Sequence, residues 1–290
     1  MPALKVQSPN ARASQTSHVE PGPAAQAEQY LREGRYRPLL DLLEEVDQPD
    51  ERMRKACAVA LGKSGRFAES LSCFDTIPDA WNMDGVAGYY AYILEKNGRL
   101  DDACAQYRHA LSTREHDSLW TQSHFAYCLE KAERFDEAER AYRAVLDRSP
   151  AYTWAVKRLA CFLLRRSRHR ESLALHRETL SRYPDNMYAH VNFLEYCLYW
   201  RSERSFQRHV AAMVGLSIPP KMEVVIALLR YFGFYLMYGR TEVAKRNACI
   251  RQCGNIDTTI HRDFDELDEM VAADKSCSLE WEQLKACLIK

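Results

Sequence analysis

The sequence predicts an all-α fold in which antiparallel helical hairpins repeat along the chain. Glycine and proline, which interrupt helices, number only 11 each among 290 residues. Hydrophobic residues make up 47% of the chain, which is ample material for a core. Four segments also repeat the same residue types at a period of about 34 residues. A fixed period of this length indicates a stack of similar units.

Columns of equivalent residues define the repeat. The motif Ala-x-x-Leu occurs at Ala58 and Leu61, Ala91 and Leu94, Ala126 and Leu129, and Ala160 and Leu163, with offsets of 33, 35 and 34 residues. A bend follows at Gly65, Gly98, Glu133 and Ser167, and two residues later come Phe67, Leu100, Phe135 and His169. A small residue then occurs at Ser70, Ala103, Ala138 and Ser172, and four residues beyond it a ring occurs at Phe74, Tyr107, Tyr142 and His176.

The spacing within each unit predicts two packed helices. Residues three or four apart lie on one face of a helix, so Ala-x-x-Leu marks the buried face of a first helix. The small residue and its ring mark the buried face of a second helix. The short turns at Gly65 and Gly98 make each pair an antiparallel hairpin, and Pro150 and Pro184 close two of the units. One hairpin cannot bury its apolar face alone, so the units must stack.

With these columns the chain resembles the tetratricopeptide repeat (TPR) family, most clearly from Glu51 to Asn186. The resemblance implies a TPR-like superhelical solenoid of about six or seven hairpins, right-handed, with a concave groove lined by the first helices. His169 and His176 depart from the apolar and aromatic residues of the pattern. No unit has the tryptophan that the family places four residues before the alanine.

We divide the chain into five parts. Residues 1–23 contain four of the eleven prolines and no aromatic residue, which predicts a disordered tail. Residues 24–50 are a degenerate repeat, and residues 51–186 are the four TPR-like repeats. Residues 187–255 are degenerate repeats in which Phe206 stands where Ala or Ser is expected. Residues 256–290 are expected to form helices that cap the apolar end of the array.

A column of aromatic residues is the main candidate for a binding surface. Trp120, Trp154 and Tyr188 recur at intervals of 34 residues. The resemblance implies that this position and four others of each first helix face the groove. The candidate partner-binding residues are Arg52, Lys55, Tyr92, Trp120, Tyr127, Trp154, Lys157, Arg158, Tyr188, Asn192 and Tyr199. Aromatic rings, arginine and asparagine suit protein binding, but the same rings could instead pack against the preceding hairpin.

Composition disfavours several classes of function. Basic and acidic residues number 40 each, so the net charge is zero and nucleic-acid binding is disfavoured. The apolar stretch from Met222 to Gly239 is interrupted by Glu223 and Arg230, which indicates a buried helix and not a membrane span. Ten scattered cysteines indicate free thiols in a reducing compartment, and together with the lack of a secretory signal this predicts a cytoplasmic protein.

No pattern in the chain predicts catalysis, a cofactor or a metal site. Cys249, Cys253 and His261 fall short of the four ligands that a structural metal site needs. Phosphate-binding glycine loops, nucleophile elbows and His-Glu-x-x-His motifs do not occur. The basic run Arg165 to Arg170 could contact RNA, DNA or an acidic partner, but a solvated turn is the favoured interpretation. The acidic run Asp263 to Glu269 is interpreted as an amphipathic helix, with Phe264, Leu267 and Met270 on one stripe.

The sequence therefore predicts a non-catalytic scaffold or adaptor that binds a protein or peptide in its concave groove, as a subunit or accessory factor of a larger assembly. Two alternatives stay open: a peptide-sensing regulator, and a partner that presents a substrate to an enzyme. Val59 and Tyr92 occupy positions where family members that bind chaperone tails have asparagine, which argues against that role. Homo-oligomerisation is left open.

Overall fold

The computed structural model describes residues 22–80, 86–113, 118–239, 242–254 and 264–288, and these residues form sixteen α-helices and no β-strand. The predicted tail lies almost wholly outside the described residues. In order, the helices are α1 (Pro23–Arg32), α2 (Tyr36–Glu44), α3 (Glu51–Lys63), α4 (Phe67–Asp75), α5 (Ala87–Lys96), α6 (Leu100–Ser112), α7 (Leu119–Lys131), α8 (Phe135–Arg148), α9 (Thr153–Arg165), α10 (His169–Arg182), α11 (Met187–Tyr199), α12 (Glu203–Ala212), α13 (Pro220–Tyr238), α14 (Val243–Gly254), α15 (Asp265–Ala273) and α16 (Ser278–Ala286). Among the described helices, none combines the length and hydropathy that a membrane crossing requires.

The turns inside the hairpins share one backbone geometry. In each, the second residue after the first helix has a positive φ, at Gly34, Gly65, Gly98, Glu133, Ser167 and Arg201. The next residue donates its N–H to a carbonyl five residues earlier, as from Arg66 to Leu61 and from Arg168 to Leu163, both at 2.9 Å. This bond satisfies a carbonyl at the end of the first helix, as in a Schellman motif. In the four TPR-like repeats the acceptor is the leucine of Ala-x-x-Leu, so there the repeat motif also fixes the turn.

The predicted columns form the interior of the repeats. All four alanines of the motif and all four small residues that follow are fully buried. Their size permits close approach, and two of them add a hydrogen bond: the hydroxyl of Ser70 donates to the Ala58 carbonyl, and that of Ser172 to the Ala160 carbonyl, each at 2.6 Å. Phe74, Tyr107, Tyr142 and His176 are buried as well. The fold is therefore an all-α array of TPR-like hairpins, as the sequence predicts.

The helices group into two compact units, divided between Arg99 and Leu100. In the first unit, α1, α2 and α3 pack on one another, α4 packs on α3, and α5 packs on α4. The side chain of Asp50 begins α3 by accepting from the Met53 amide at 2.8 Å. Two clusters form the core of this unit, one around Leu39 and Met53 and one around Phe74 and Ile93.

In the second unit, consecutive helices from α6 to α12 pack in sequence, and α14 packs on α13. The first helices of successive hairpins also touch, since α9 contacts both α7 and α11, and α11 contacts α13. A large cluster extends from Leu164 to Leu288 and includes the fully buried Trp281. The ring of Trp281 lies 4.6 Å from that of Phe232 and 5.3 Å from that of Phe264, measured between centroids.

A glycine compensates for the missing small residue of the fifth hairpin. Phe206 replaces the usual Ala or Ser on α12 and is buried. A Cβ atom at Gly233 on α13 would lie 3.1 Å from the Phe206 ring and 2.9 Å from Leu198. Close packing of these two helices is thus permitted by a small residue on α13 and not by one on α12.

Helix α15 contacts helices of the second unit other than its neighbour α16. It packs on α11, while α16 packs on α13 and on α15. The acidic side chains of α15 extend further, to α9 and α7. The physical reason is electrostatic, because α9 carries buried cations for which α15 supplies carboxylates.

Candidate binding site on the first-helix face

The candidate residues are divided between the two units. Arg52, Lys55 and Tyr92 lie in the first unit. Arg52 is exposed and donates two hydrogen bonds to Glu28, both at 2.8 Å, and Lys55 is half-buried on α3. Tyr92 packs edge-on against Phe67 with ring centroids 6.1 Å apart, and the ammonium of Lys96 lies 5.4 Å from its centroid.

The other eight candidates lie on α7, α9 and α11, the first helices of three successive hairpins. The surface that these three helices form is called the first-helix face below. The candidates on it are Trp120, Tyr127, Trp154, Lys157, Arg158, Tyr188, Asn192 and Tyr199. They include an aromatic rim, formed by Trp120, Trp154 and Tyr188 near the beginnings of the helices, and a polar centre further along.

The aromatic rim joins α7 to α9. The rings of Trp120 and Trp154 both pack on His124, with centroids 4.3 Å and 4.9 Å away. Tyr127 meets Trp154 edge-on at 6.1 Å. Trp154 therefore packs across hairpins onto α7, whereas Trp120 packs on a residue of its own helix, and both rings stay partly exposed. Tyr188 differs, because 55% of its surface is exposed.

The polar centre is a buried network of charges on α9, α11 and α15. The ammonium of Lys157 lies 2.9 Å from the carboxylates of both Glu195 and Glu266. The guanidinium of Arg158 donates to Glu266 at 3.0 Å and to Asp265 at 2.7 Å. Lys157, Arg158, Glu195 and Glu266 are each at most 4% exposed. Two cations and two anions thus balance inside the protein.

Groups around the network hold it in place. The guanidinium of Arg158 lies 4.3 Å from the Tyr127 ring centroid and 5.1 Å from that of Trp154, within the range of cation–π attraction. The Tyr127 hydroxyl donates to Asp265 at 3.3 Å. The buried Asn192 amide donates to the Thr153 carbonyl at 2.8 Å, tying α11 to α9.

The outer edge of α15 is held by a third cation of α9. Arg165 donates to Glu269 at 3.0 Å and also to Glu130 on α7. Burial, and next the Glu269 carboxylate, raise the pKa of the Tyr199 hydroxyl above its ordinary value. Arg165 belongs to the basic run and Glu269 to the acidic run of the sequence. These two runs were interpreted separately, and the structure brings them into contact.

Sequence reasoning missed the acidic half of this site. Glu195, Asp265, Glu266 and Glu269 were not among the candidates, although the opposite charges of the two runs were a usable signal. Lys157, Arg158 and Asn192 were expected to face a groove, and the structure buries them against neighbouring helices and α15. His261, considered as a metal ligand, lies outside the described residues. Within the described ranges, His, Cys, Asp and Glu form no group of three suited to a metal ion.

No protein-family profile matches the chain, and no curated protein sequence matches it. Among solved structures, it is similar to MamA from AMB-1, with 19% identity and a TM-score of 0.49, over 55% of this chain and 96% of that one. It is similar to residues 41 to the end of MamA from Desulfovibrio magneticus RS-1, with 14% identity and a TM-score of 0.49, over 56% and 95% of the two chains. YrrB, described as a TPR protein with an unusual peptide-binding site, shares 18% identity and a TM-score of 0.48, over 58% and 88%. The helical hairpins of the present chain are assigned on their own geometry.

Proposed function

We propose that this chain is a non-catalytic scaffold that binds a peptide or protein segment along the first-helix face, as a component of a larger assembly. The observation that carries the proposal is the docking of α15. A helix from elsewhere in the chain lies against α11 and is held by buried charge pairs to α9. The face therefore has the shape and chemistry to hold a protein segment.

The aromatic rim is the part of this face that is exposed for contact with a partner. Tyr188 is the most exposed of its three rings, and Trp120 and Trp154 present half-exposed edges beside it. Large rigid rings lose little conformational entropy on binding and bury much surface, which is why they dominate binding hot spots. A partner that contacts Tyr188 and the two tryptophans would cross α7, α9 and α11 together.

Photo-cross-linking tests the proposal at the exposed ring. Tyr188 is replaced with p-benzoylphenylalanine in the full chain, which is irradiated in native lysate. The matched control carries the same probe at Tyr238, an exposed tyrosine near the end of α13. We expect a discrete cross-linked protein from position 188 that is absent from position 238.

A second arm asks whether the rim contributes to affinity. Capture of the cross-linked protein is compared between the wild type and a Trp120→Ala, Trp154→Ala, Tyr188→Ala variant whose helicity is verified by circular dichroism. Loss of capture by the folded variant supports the proposal. Equal capture by both proteins, or cross-linking from position 238 alone, would show that the partner binds elsewhere and that the rings serve packing.

A further inference from the structure

Helix α15 presents a different chemistry on each of three sides. Asp265, Glu266 and Glu269 point to cations and a hydroxyl on α7 and α9. Leu267, Met270 and Val271 belong to the buried core cluster. Asp268 accepts hydrogen bonds from Trp281 at 2.6 Å and Lys285 at 2.8 Å, both on α16.

Two buried carboxylates pair with the two buried cations of the first-helix face, and one of these carboxylates comes from α15. Lys157 and Arg158 contribute two positive charges, and Glu195 on the neighbouring α11 supplies one negative charge. The second negative charge comes from Glu266 on α15. Pairing with a carboxylate offsets the cost of burying a cation, so the position beside Lys157 and Arg158 suits a carboxylate from another segment, as Glu266 shows.

The charge pairs that hold α15 favour exchange over permanent docking. α15 has only nine residues, and isolated helices of that length are not stable in water, so its helical state depends on its contacts. Buried ion pairs contribute less than well-packed apolar side chains would, because the desolvation of both ions offsets their attraction. The two outer carboxylates, Asp265 and Glu269, are about half-exposed. Each of their pairs with Arg158 and Arg165 contributes little by itself to holding the helix, but the loss of both would loosen it about tenfold.

We infer that the first-helix face is a receptor for an acidic amphipathic helix of a partner protein, and that α15 occupies this position in the isolated chain. The partner helix carries two adjacent carboxylates and a third that lies four residues after the first and three after the second, as in α15, with apolar residues on the neighbouring stripe. Binding of an apolar-striped helix in a groove is an established recognition mode. Here the buried cations of α9 also favour acidic side chains on the bound helix. This inference rests on the proposed function and specifies the partner.

The probe is a fluorescein-labelled peptide with the sequence of residues 264–274. A matched peptide carries Asp265→Asn, Glu266→Gln and Glu269→Gln. Fluorescence anisotropy measures the binding of each peptide to two full-length proteins. One is the wild type, and the other carries Asp265→Asn and Glu269→Gln, which loosen its own α15 at half-exposed positions.

We expect the acidic peptide to bind the loosened protein at least tenfold more tightly than it binds the wild type, and at least tenfold more tightly than the neutral peptide does. Adding Arg165→Gln to the loosened protein should weaken binding of the acidic peptide but leave the neutral peptide unaffected. Hydrogen exchange of α15 in the loosened protein should rise when the acidic peptide binds.

Two outcomes would overturn the inference. One is equal binding of the acidic and neutral peptides, and the other is no binding of either peptide to a loosened protein that remains folded. Either result would make α15 a permanent part of the array. The proposed function would survive if position 188 still cross-links a partner, because that experiment does not depend on the charge of the partner.

Discussion

Arg158 and Glu266, 108 residues apart in the chain, form a buried ion pair with 3.0 Å between Nη1 and Oε1. Lys157 approaches the other oxygen of the same carboxylate. Glu266 is thus the anion that α15 contributes to two cations of α9. It links the C-terminal helices to the repeats electrostatically, in addition to the apolar contacts of the core.

The first prediction concerns Glu266. Glu266→Ala should lower the free energy of unfolding by about 3–5 kcal/mol, because it removes the buried carboxylate that Lys157 and Arg158 share. Glu269→Ala removes a half-exposed partner of Arg165 and should cost less than about 1 kcal/mol. Urea denaturation of both variants provides the measurement. Similar losses for the two variants would mean that the network is solvated.

The second prediction concerns acid. Burial, and next the nearby His209, lower the pKa of His176 to about 3 from an ordinary value of 6.5. The unfolded state therefore binds a proton at this histidine below pH 6.5, whereas the folded state binds it only below about pH 3. The stabilising effect is complete above pH 6.5 and decreases as the pH falls, by up to about 1.4 kcal/mol per pH unit.

For His176 alone, the free energy of unfolding should be about 2 kcal/mol lower at pH 5 than at pH 7.5. His176→Phe, which places in this column the residue type found at position 74, should reduce that difference. Urea denaturation at both pH values measures the effect, and an unaltered difference in His176→Phe would assign it to other groups.

The third prediction concerns close approach of helices at Gly62. A Cβ atom there would lie 2.5 Å from the Tyr89 hydroxyl and 2.6 Å from Cδ1 of Ile93. Alanine favours helix over glycine by about 1 kcal/mol, but overpacking costs about 1–3 kcal/mol. Gly62→Ala should therefore lower the melting temperature, and combining it with Tyr89→Phe should recover part of the loss. Gly254→Ala on α14, with open space around its Cβ, is the matched control and should not be destabilising.

The fourth prediction concerns the small-residue column. Ser172→Ala removes the hydrogen bond to the Ala160 carbonyl but keeps the small volume, and should cost about 1 kcal/mol. Ser172→Leu should cost considerably more, because the site is fully buried between α9 and α10. The ratio of the two losses in chemical denaturation measures whether volume or the hydroxyl matters more. A larger loss for Ser172→Ala would contradict the interpretation of the column as a packing requirement.

Much of the fold could be predicted from sequence because its determinants are local. The alanine, leucine and small-residue columns lie within 15 residues of one another in each unit, and all are buried as expected. The apolar stripe of Phe264, Leu267 and Met270 is likewise confirmed. Periodicity reports which face of a helix is buried, not which distant helix covers it. The contact of α15 with α9 therefore could not be read from periodicity, and only the opposite charges of the two runs hinted at it.

The aromatic column shows a different limit. Trp120, Trp154 and Tyr188 share one position in the repeat, yet two rings pack on His124 and the third is exposed. The difference arises from the neighbours, since the histidine between the tryptophans has no ring counterpart beside Tyr188 in the described contacts. Equivalent positions in a repeat thus need not have equivalent surroundings. Their role in binding a partner stays a prediction.

The long separation between Arg158 and Glu266 also has a consequence for biosynthesis. Hairpins that are stabilised by contacts between neighbouring helices can fold as they emerge from the ribosome, because each needs only a short stretch of chain to be ordered. Docking of α15 must wait until residues 264–273 have been made and have left the exit tunnel. During that interval the cations of α9 lack their final counter-charge, and the nascent chain exposes to chaperones and other acidic proteins a surface that the completed protein conceals.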